Sequence, residues 1–197
     1  MKKIFLIFVA VITSAVHAQN EVAKSAVDIA PLLIGEKIPA LTLKTAENKA
    51  FDLSELLKKK KTVLIFYRGS WCPYCNAHLQ ALAAAEQQII DLGYQIIAVS
   101  SDSPENLKIT EEKDKVKYTL LSDSKGDLIK AVGIAYRVPE NYKTVINVNS
   151  NGDNTSLLPV PSVFIVNTEA VVLFEYISPN IKQRITTELL VSVLKNL

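Results

Sequence analysis

The chain has 197 residues, 49% of them hydrophobic and 21% charged, and carries a formal net charge of +2. That length gives one domain with a full core and not two of ordinary size, and the composition excludes a disordered or fibrous chain. Lys2 and Lys3 account for the whole positive excess, so the remainder gives no electrostatic reason to expect nucleic acid or an anionic membrane surface.

The opening "MKK" is basic, "IFLIFVAVI" is apolar but shorter than a bilayer span, and "TSAVHAQ" supplies small residues with Ala18 at a cleavage position. This order predicts a secretory signal peptide over residues 1–18, against the alternative of an N-terminal anchor. The expectation is an exported protein, periplasmic if the source is Gram-negative, with no stable membrane insertion once the signal is removed. No Cys lies in the signal, which argues against a lipid anchor.

Residues 19–34 read as a lead-in with little regular structure, and "KIPALTLKT" (37–45) as a strand. Asp52 or Ser54 then caps a short helix that ends in Lys58–Lys61, a basic run suited to a solvated helix C-terminus. "TVLIFYR" (62–68) is an unbroken β-branched and aromatic run, as in a buried parallel strand. From Pro73 the apolar residues Leu79, Leu82, Ile89 and Ile90 recur at helical spacing, up to a stop at Gly93. "YQIIAVSSD" (94–102) predicts a second buried strand, and a polar helix follows with Ser103 as cap and Pro104 in its first turn. "YTLLSD" (118–123) reads as a strand, "KGDLIKAVGI" as a short helix, and the Asn-rich 145–159 as a hairpin or long loop. Residues 162–166 and 171–177 predict an antiparallel hairpin, and 183–197 an amphipathic helix. Strands alternating with helices in this way imply an α/β fold with a mixed central sheet between helices.

Both cysteines of the chain, Cys72 and Cys75, fall in "RGSWCPYCN" at the predicted strand-to-helix junction. A helix N-terminus stabilises a thiolate there, and Cys75 lies one turn on, within reach of a disulfide. The pair suits a reversible dithiol–disulfide cycle, with Cys72 as an exposed nucleophile and Cys75 as a shielded resolving thiol. Three plainer readings compete. A structural disulfide over so short a loop restrains little of the unfolded chain. A zinc site wants about four ligands, and beyond the signal the chain offers two Cys and the single His78, so no metal or other cofactor is expected. Two inert core thiols would follow the helical stripe, which Cys72 precedes.

Neighbouring residues bear on this choice. Arg68 adds positive potential beside a Cys72 thiolate, or else is a solvated strand end. Trp71 shields the sulfurs and shapes a partner groove, or simply packs. His78 is a proton relay or a satisfied surface histidine. Pro161, ahead of the 162–166 strand, is expected to hold a cis peptide in a tight turn that brings backbone beside the sulfurs, or else only to start a strand.

"WCPYC" resembles the active site of thioredoxin-fold proteins, its inner Pro-Tyr is the pair glutaredoxins use, and "VPSVF" is similar to that fold's cis-proline segment. The lead-in "IGEKIPALTLKTAENKAFDLSELLKKKKTVLIFYRGSWCPYC" narrows the likeness, as do "VSSDSPENL", "LLSDSKGDLIKAVGI", "YRVPENY" and "LPVPSVFIVNTEAVVLFEYISP". Together they resemble the AhpC/TSA peroxiredoxin-like family across residues 34–197. The resemblance implies a thioredoxin-like fold with a peroxiredoxin-type N-terminal extension. It also implies thiol-dependent reduction of hydroperoxides, a Cys72–Cys75 redox disulfide, and recharging by a thioredoxin-like partner. Three departures stand out. The family's Pro-x-x-x-Thr/Ser-x-x-Cys pattern fits neither cysteine, since Gly69 and Ile65 precede Cys72, and Cys72 and Arg68 precede Cys75, at those places. The arginine of the family's R-x-T/S-F strand is replaced by Pro161, and the buried Asp of thioredoxins by Phe66. The alternative enzyme is an exported thiol–disulfide oxidoreductase acting on protein disulfides. A third possibility is a binding module that keeps the pair as a structural bridge.

Overall fold

The computed structural model describes residues 22–197, so the expected signal peptide lies outside the described residues. Strands β1 (Thr42–Lys44) and β2 (Ala50–Asp52) form a small hairpin that leads into helix α1 (Leu53–Leu57). Strand β3 (Lys61–Tyr67), helix α2 (Pro73–Asp91), strand β4 (Tyr94–Ser100), helix α3 (Pro104–Asp114) and strand β5 (Thr119–Ser122) follow in alternation. Helix α4 (Asp127–Ala131), strand β6 (Ala135–Arg137), helix α5 (Glu140–Asn149) and strand β7 (Leu157–Pro159) come next. The hairpin β8 (Ser162–Val166) and β9 (Val172–Ile177), then helix α6 (Thr187–Leu194), close the chain.

Seven strands form one sheet in the order β2-β1-β5-β4-β3-β8-β9, and β6 pairs with β7 separately. β3, β4 and β5 run parallel, while β8 lies antiparallel against β3, with Leu64 opposite Phe164. This is the mixed sheet between helices that the sequence predicts. Alternation along β3 divides the core. Val63, Ile65 and Tyr67 face the cluster covered by α2, α3 and α6, while Leu64 and Phe66 face the one covered by α1 and α4. A strand buried on both faces has no polar positions to spare, which is why β3 reads as an unbroken apolar run.

The caps follow the sequence closely. Asp52 accepts the Ser54 N–H to start α1, and Ser103 accepts the Asn106 N–H to start α3, with Pro104 in the first turn. Lys58 caps the C-terminus of α1 and pairs with Glu55 at 2.7 Å.

Three expectations are corrected. The stretch 145–159 is not a hairpin or long loop: its first five residues complete α5, because Tyr142, Val145 and Ile146 pack together against Val138, Leu158 and Val160. That tertiary contact overrides the weak helix propensity of Asn and Val. The last helix begins at Thr187 rather than at residue 183, since Thr186 is its cap and accepts the Leu189 N–H. Pro161 holds no cis peptide, and none occurs among the described residues. The chain runs extended from β7 straight into β8, so no tight turn is made, and Pro161 stands at the strand start where no ladder N–H is needed.

The lead-in is threaded, not loose. The Leu32 N–H donates to the Val132 carbonyl, the Gly35 N–H to Val172, and the Ile38 N–H to Ala170. At Gly133 the crossing is so close that a Cβ there would overlap the Ala30 carbonyl.

Candidate active site

The end of β3 delivers residues 68–72 to the N-terminus of α2. Cys72 is the N-cap residue in extended conformation, its carbonyl accepts the N–H groups of Cys75 and Asn76 at 3.0 Å, and Pro73 opens the helix. This brings the sulfurs together as two free thiols: the Cys75 thiol donates to Cys72 Sγ at 2.6 Å. Cys72 is 1% exposed, so the expectation of an exposed nucleophile is corrected. Both sulfurs lie within the core cluster under α2, with Trp71 packed against it.

The two thiols are shifted in opposite directions. The Cys72 thiol is lowered to about 6, first by the Cys75 thiol that donates to it, against the cost of burial, then by the Cys75 N–H and the cations of Arg68 and Arg184. Burial first, and then the Cys72 sulfur, push Cys75 well above the usual thiol range. These opposite shifts favour the thiolate on Cys72 and the proton on Cys75.

Arg68 is not a solvated strand end. It is 3% exposed, and its guanidinium lies 4.7 Å from the ring centroids of both Trp71 and Tyr142. A cation set beside two aromatic rings, 4.7 Å from each centroid, is attracted by their quadrupoles without a carboxylate partner, which leaves its charge available to the sulfur. Trp71 packs against the cluster that holds both sulfurs and also lies against this cation, with the Tyr142 ring of α5 tilted beside it, 5.9 Å between centroids.

Arg184 was not visible as a site residue in the sequence. It precedes the cap of α6, its Nη1 donates to the carbonyls of Ile181 and Gln183, and its Nη2 lies 3.5 Å from Cys75 Sγ. Arg184 thus brings a second cation to the thiol pair, from an element other than the one that carries Pro161. The two carbonyls that aim it are backbone, so no side-chain pattern marks the site.

His78 is neither a satisfied surface histidine nor a charged relay. It is buried, its Nε2 has no partner, and burial together with Arg184 lowers it to about 4, so it is neutral at pH 7. Asn76 Nδ2 donates to the Ser70 carbonyl at 2.9 Å, and the Ser70 N–H donates to Asp102 Oδ2 at 2.6 Å. Asp102, just past the end of β4, is buried, and its Oδ1 has no partner. The Ser70 hydroxyl reaches Asn149 of α5, not a sulfur.

A family model described as the AhpC/TSA family matches residues 34–174. The chain is 30% identical over 104 residues to a putative peroxiredoxin bcp of Haemophilus influenzae, covering 53% of this chain and 66% of that protein. It is 32% identical over 111 residues to the thiol:disulfide interchange protein DsbE of Pseudomonas aeruginosa, covering 56% of this chain and 59% of that one. The matched segment thus spans less than two thirds of either curated relative. Among solved structures, reduced Prx3 of Vibrio vulnificus in complex with hydrogen peroxide aligns with a TM-score of 0.70 at 19% identity, over 83% of this chain and 99% of that one. At that identity the likeness speaks to the fold, and the fold is that of the thioredoxin-like peroxiredoxins.

Proposed function

The chain belongs to the AhpC/TSA family, and on that premise we propose that it is a thiol-dependent peroxidase that works through a Cys72–Cys75 dithiol cycle. The observation that carries the reading is the asymmetric thiol pair: a lowered Cys72 sulfur 2.6 Å from a proton-bearing Cys75, with two guanidinium groups beside them. The Cys72 thiolate attacks one peroxide oxygen, the O–O bond breaks, and the departing alkoxide or hydroxide takes up a proton. Cys72 becomes a sulfenic acid. The Cys75 thiol condenses with it, forming the disulfide and releasing water. An external thioredoxin-like dithiol then exchanges with that disulfide and restores both thiols. The cations of Arg68 and Arg184, which already favour the Cys72 thiolate, would also favour the negative charge that develops during the attack.

The competing reading is exchange with protein disulfides, which the likeness to the interchange protein and the Pro-Tyr pair favour. Burial weighs against it. A hydroperoxide reaches a sulfur that is 1% exposed more easily than the flanking chain of a protein disulfide does. Export is part of the proposal, supported by the basic, apolar and small-residue order of residues 1–18.

The test mixes reduced protein with stoichiometric hydrogen peroxide and follows Trp71, the only tryptophan, by stopped-flow fluorescence. A fast change that Cys72→Ser abolishes, with a trapped sulfenic acid in Cys75→Ser and slow insulin reduction, is expected. Peroxide consumption no faster than that of a free thiol, beside brisk insulin turnover, would make the protein a disulfide exchanger instead.

A further inference from the structure

Asp102 is used by nothing described so far, yet it is buried against the loop that carries Cys72. Its Oδ2 accepts the Ser70 N–H at 2.6 Å, and Ser70 is two residues from the thiol. Its Oδ1 has no partner and lies against Gly69. A Cβ at Gly69 would stand 2.5 Å from Asp102 Oδ1 and 2.5 Å from Trp71 Nε1, so the carboxyl and the indole meet across a gap that only glycine leaves open. No ion pair among the described residues includes Asp102. A buried carboxylate with one hydrogen bond and no counter-charge is costly, and it relieves that cost by keeping a proton.

We propose that Asp102 is a positioning residue for Cys72: it fixes the loop in front of the thiol through the Ser70 N–H and holds a proton that the neighbouring thiolate charge keeps in place.

The electrostatics agree with the geometry. Burial, opposed by the Ser70 hydrogen bonds and helped by the Cys72 charge, raises Asp102 to about 7, just above Cys72. Two groups this close lose their protons as a pair, in two macroscopic steps. The groups facing Asp102 are few. They are the Cys72 thiol and Ser70 on the loop and the Tyr67 phenol of β3, whose own proton is held far above neutral pH by burial and then by Asp102. From α5 comes only the neutral Asn149, through Ser70. The Arg68 guanidinium is turned to the Trp71 and Tyr142 rings. With the Cys72 step the lower and the Asp102 step the upper, an acid stands beside a thiolate between the two steps and no second negative charge opposes it.

This inference rests on Cys72 being the reactive thiol, and its test uses no peroxide, so it stands or falls separately from the peroxidase reading. Reduced wild-type protein, Asp102→Asn and Cys72→Ser are titrated by Trp71 fluorescence, and the first two also by the rate of iodoacetamide alkylation. Asn keeps an acceptor for the Ser70 N–H and removes the ionisation. Wild type is expected to show two inflections. Asp102→Asn should lose the upper one and leave the alkylation midpoint where wild type has it, because Cys72 titrates beside an uncharged group in either protein. Cys72→Ser should retain a single carboxyl inflection, shifted to lower pH because the thiolate is gone. An upper inflection that survives in Asp102→Asn, or an alkylation midpoint that moves to lower pH, as it would if Asp102 were already charged beside Cys72, would overturn the inference. If Asp102→Asn does not fold, the Cys72→Ser arm decides alone, and a carboxyl inflection left where wild type has it counts against the proposal.

Discussion

Two buried aspartates follow neighbouring parallel strands of one sheet, and their surroundings differ. Asp123, just past β5, accepts the Leu128 N–H on one oxygen at 3.1 Å and the Ile129 N–H on the other at 3.0 Å, capping α4 from outside. Asp102, just past β4, has one oxygen bonded and the other orphaned beside Gly69 and Trp71. Burial raises both carboxyls, Asp123 to about 6 and Asp102 to about 7. The difference lies in satisfaction. A carboxylate with every oxygen employed is a structural cap, and one held half-satisfied two residues from a thiolate is a cost retained at a site.

Removing the satisfied one gives the largest expected effect. Asp123→Ala strands two buried N–H groups, so it should cost about 3 kcal/mol and lower Tm by roughly 10 °C, given about 2–4 °C per kcal/mol for a chain of this size. The peroxide rate measured well below Tm should stay that of wild type. An equal loss of rate would erase the distinction between the two aspartates.

The glycines beside the two carboxyls sharpen it next. Gly69→Ala should cost about 2 kcal/mol and slow the peroxide reaction, because φ is +149° and the new Cβ meets Asp102 and Trp71. Gly126→Ala, with φ of +71° and its nearest neighbour 3.4 Å away, should cost about 1 kcal/mol with no change in rate. Urea unfolding and stopped-flow traces separate these outcomes.

A further contrast appears in pH dependence. Both carboxyls bind protons more tightly folded than unfolded, where an Asp titrates near about 3.9. The folded state therefore carries the extra protons, and stability falls as pH rises from about 4 towards about 6 for Asp123 and about 7 for Asp102. Each group contributes at most about 1.4 kcal/mol per pH unit. Asp123→Asn should flatten the lower part of the curve only, and a series of urea titrations that shows no flattening would refute the assignment.

The smallest effect concerns Arg184. Arg184→Gln removes a cation from beside the sulfurs, so the Cys72 thiol titrates at higher pH. Alkylation should slow severalfold near about pH 5–6, where the thiolate fraction sets the rate, and hardly at all near about pH 8, where the thiol is ionised in either protein. Equal slowing at both pH values would mean that Arg184 acts on shape rather than on charge.

The fold was legible where local chemistry decides it. The apolar run of β3, the helical stripe after Pro73 and the Ser103 cap each carry their structure in a few adjacent residues. The thiol pair was legible for the same reason, since both cysteines share one turn. Arg184 was not, because 109 residues separate it from Cys75 and backbone carbonyls aim it. Asp102 read only as the end of a strand, and its meaning comes from a loop 32 residues earlier in the chain. Tyr142 belongs to a helix that the Asn-rich sequence disguised. Burial of Cys72 also depends on these distant groups, so the sequence suggested a more open thiol than the fold contains.

The threaded lead-in has a consequence for the order in which the protein can be made. Residues 32–38 are synthesised early, yet their hydrogen-bond partners lie at 132, 170 and 172. β3, the central strand, likewise waits for β8 on one side. Such distant pairings are slow to close, and none of these can close before most of the chain exists. On the ribosome the chain remains without its native lead-in contacts until nearly the last strand has emerged, so folding is deferred to the full-length molecule rather than spread along its synthesis.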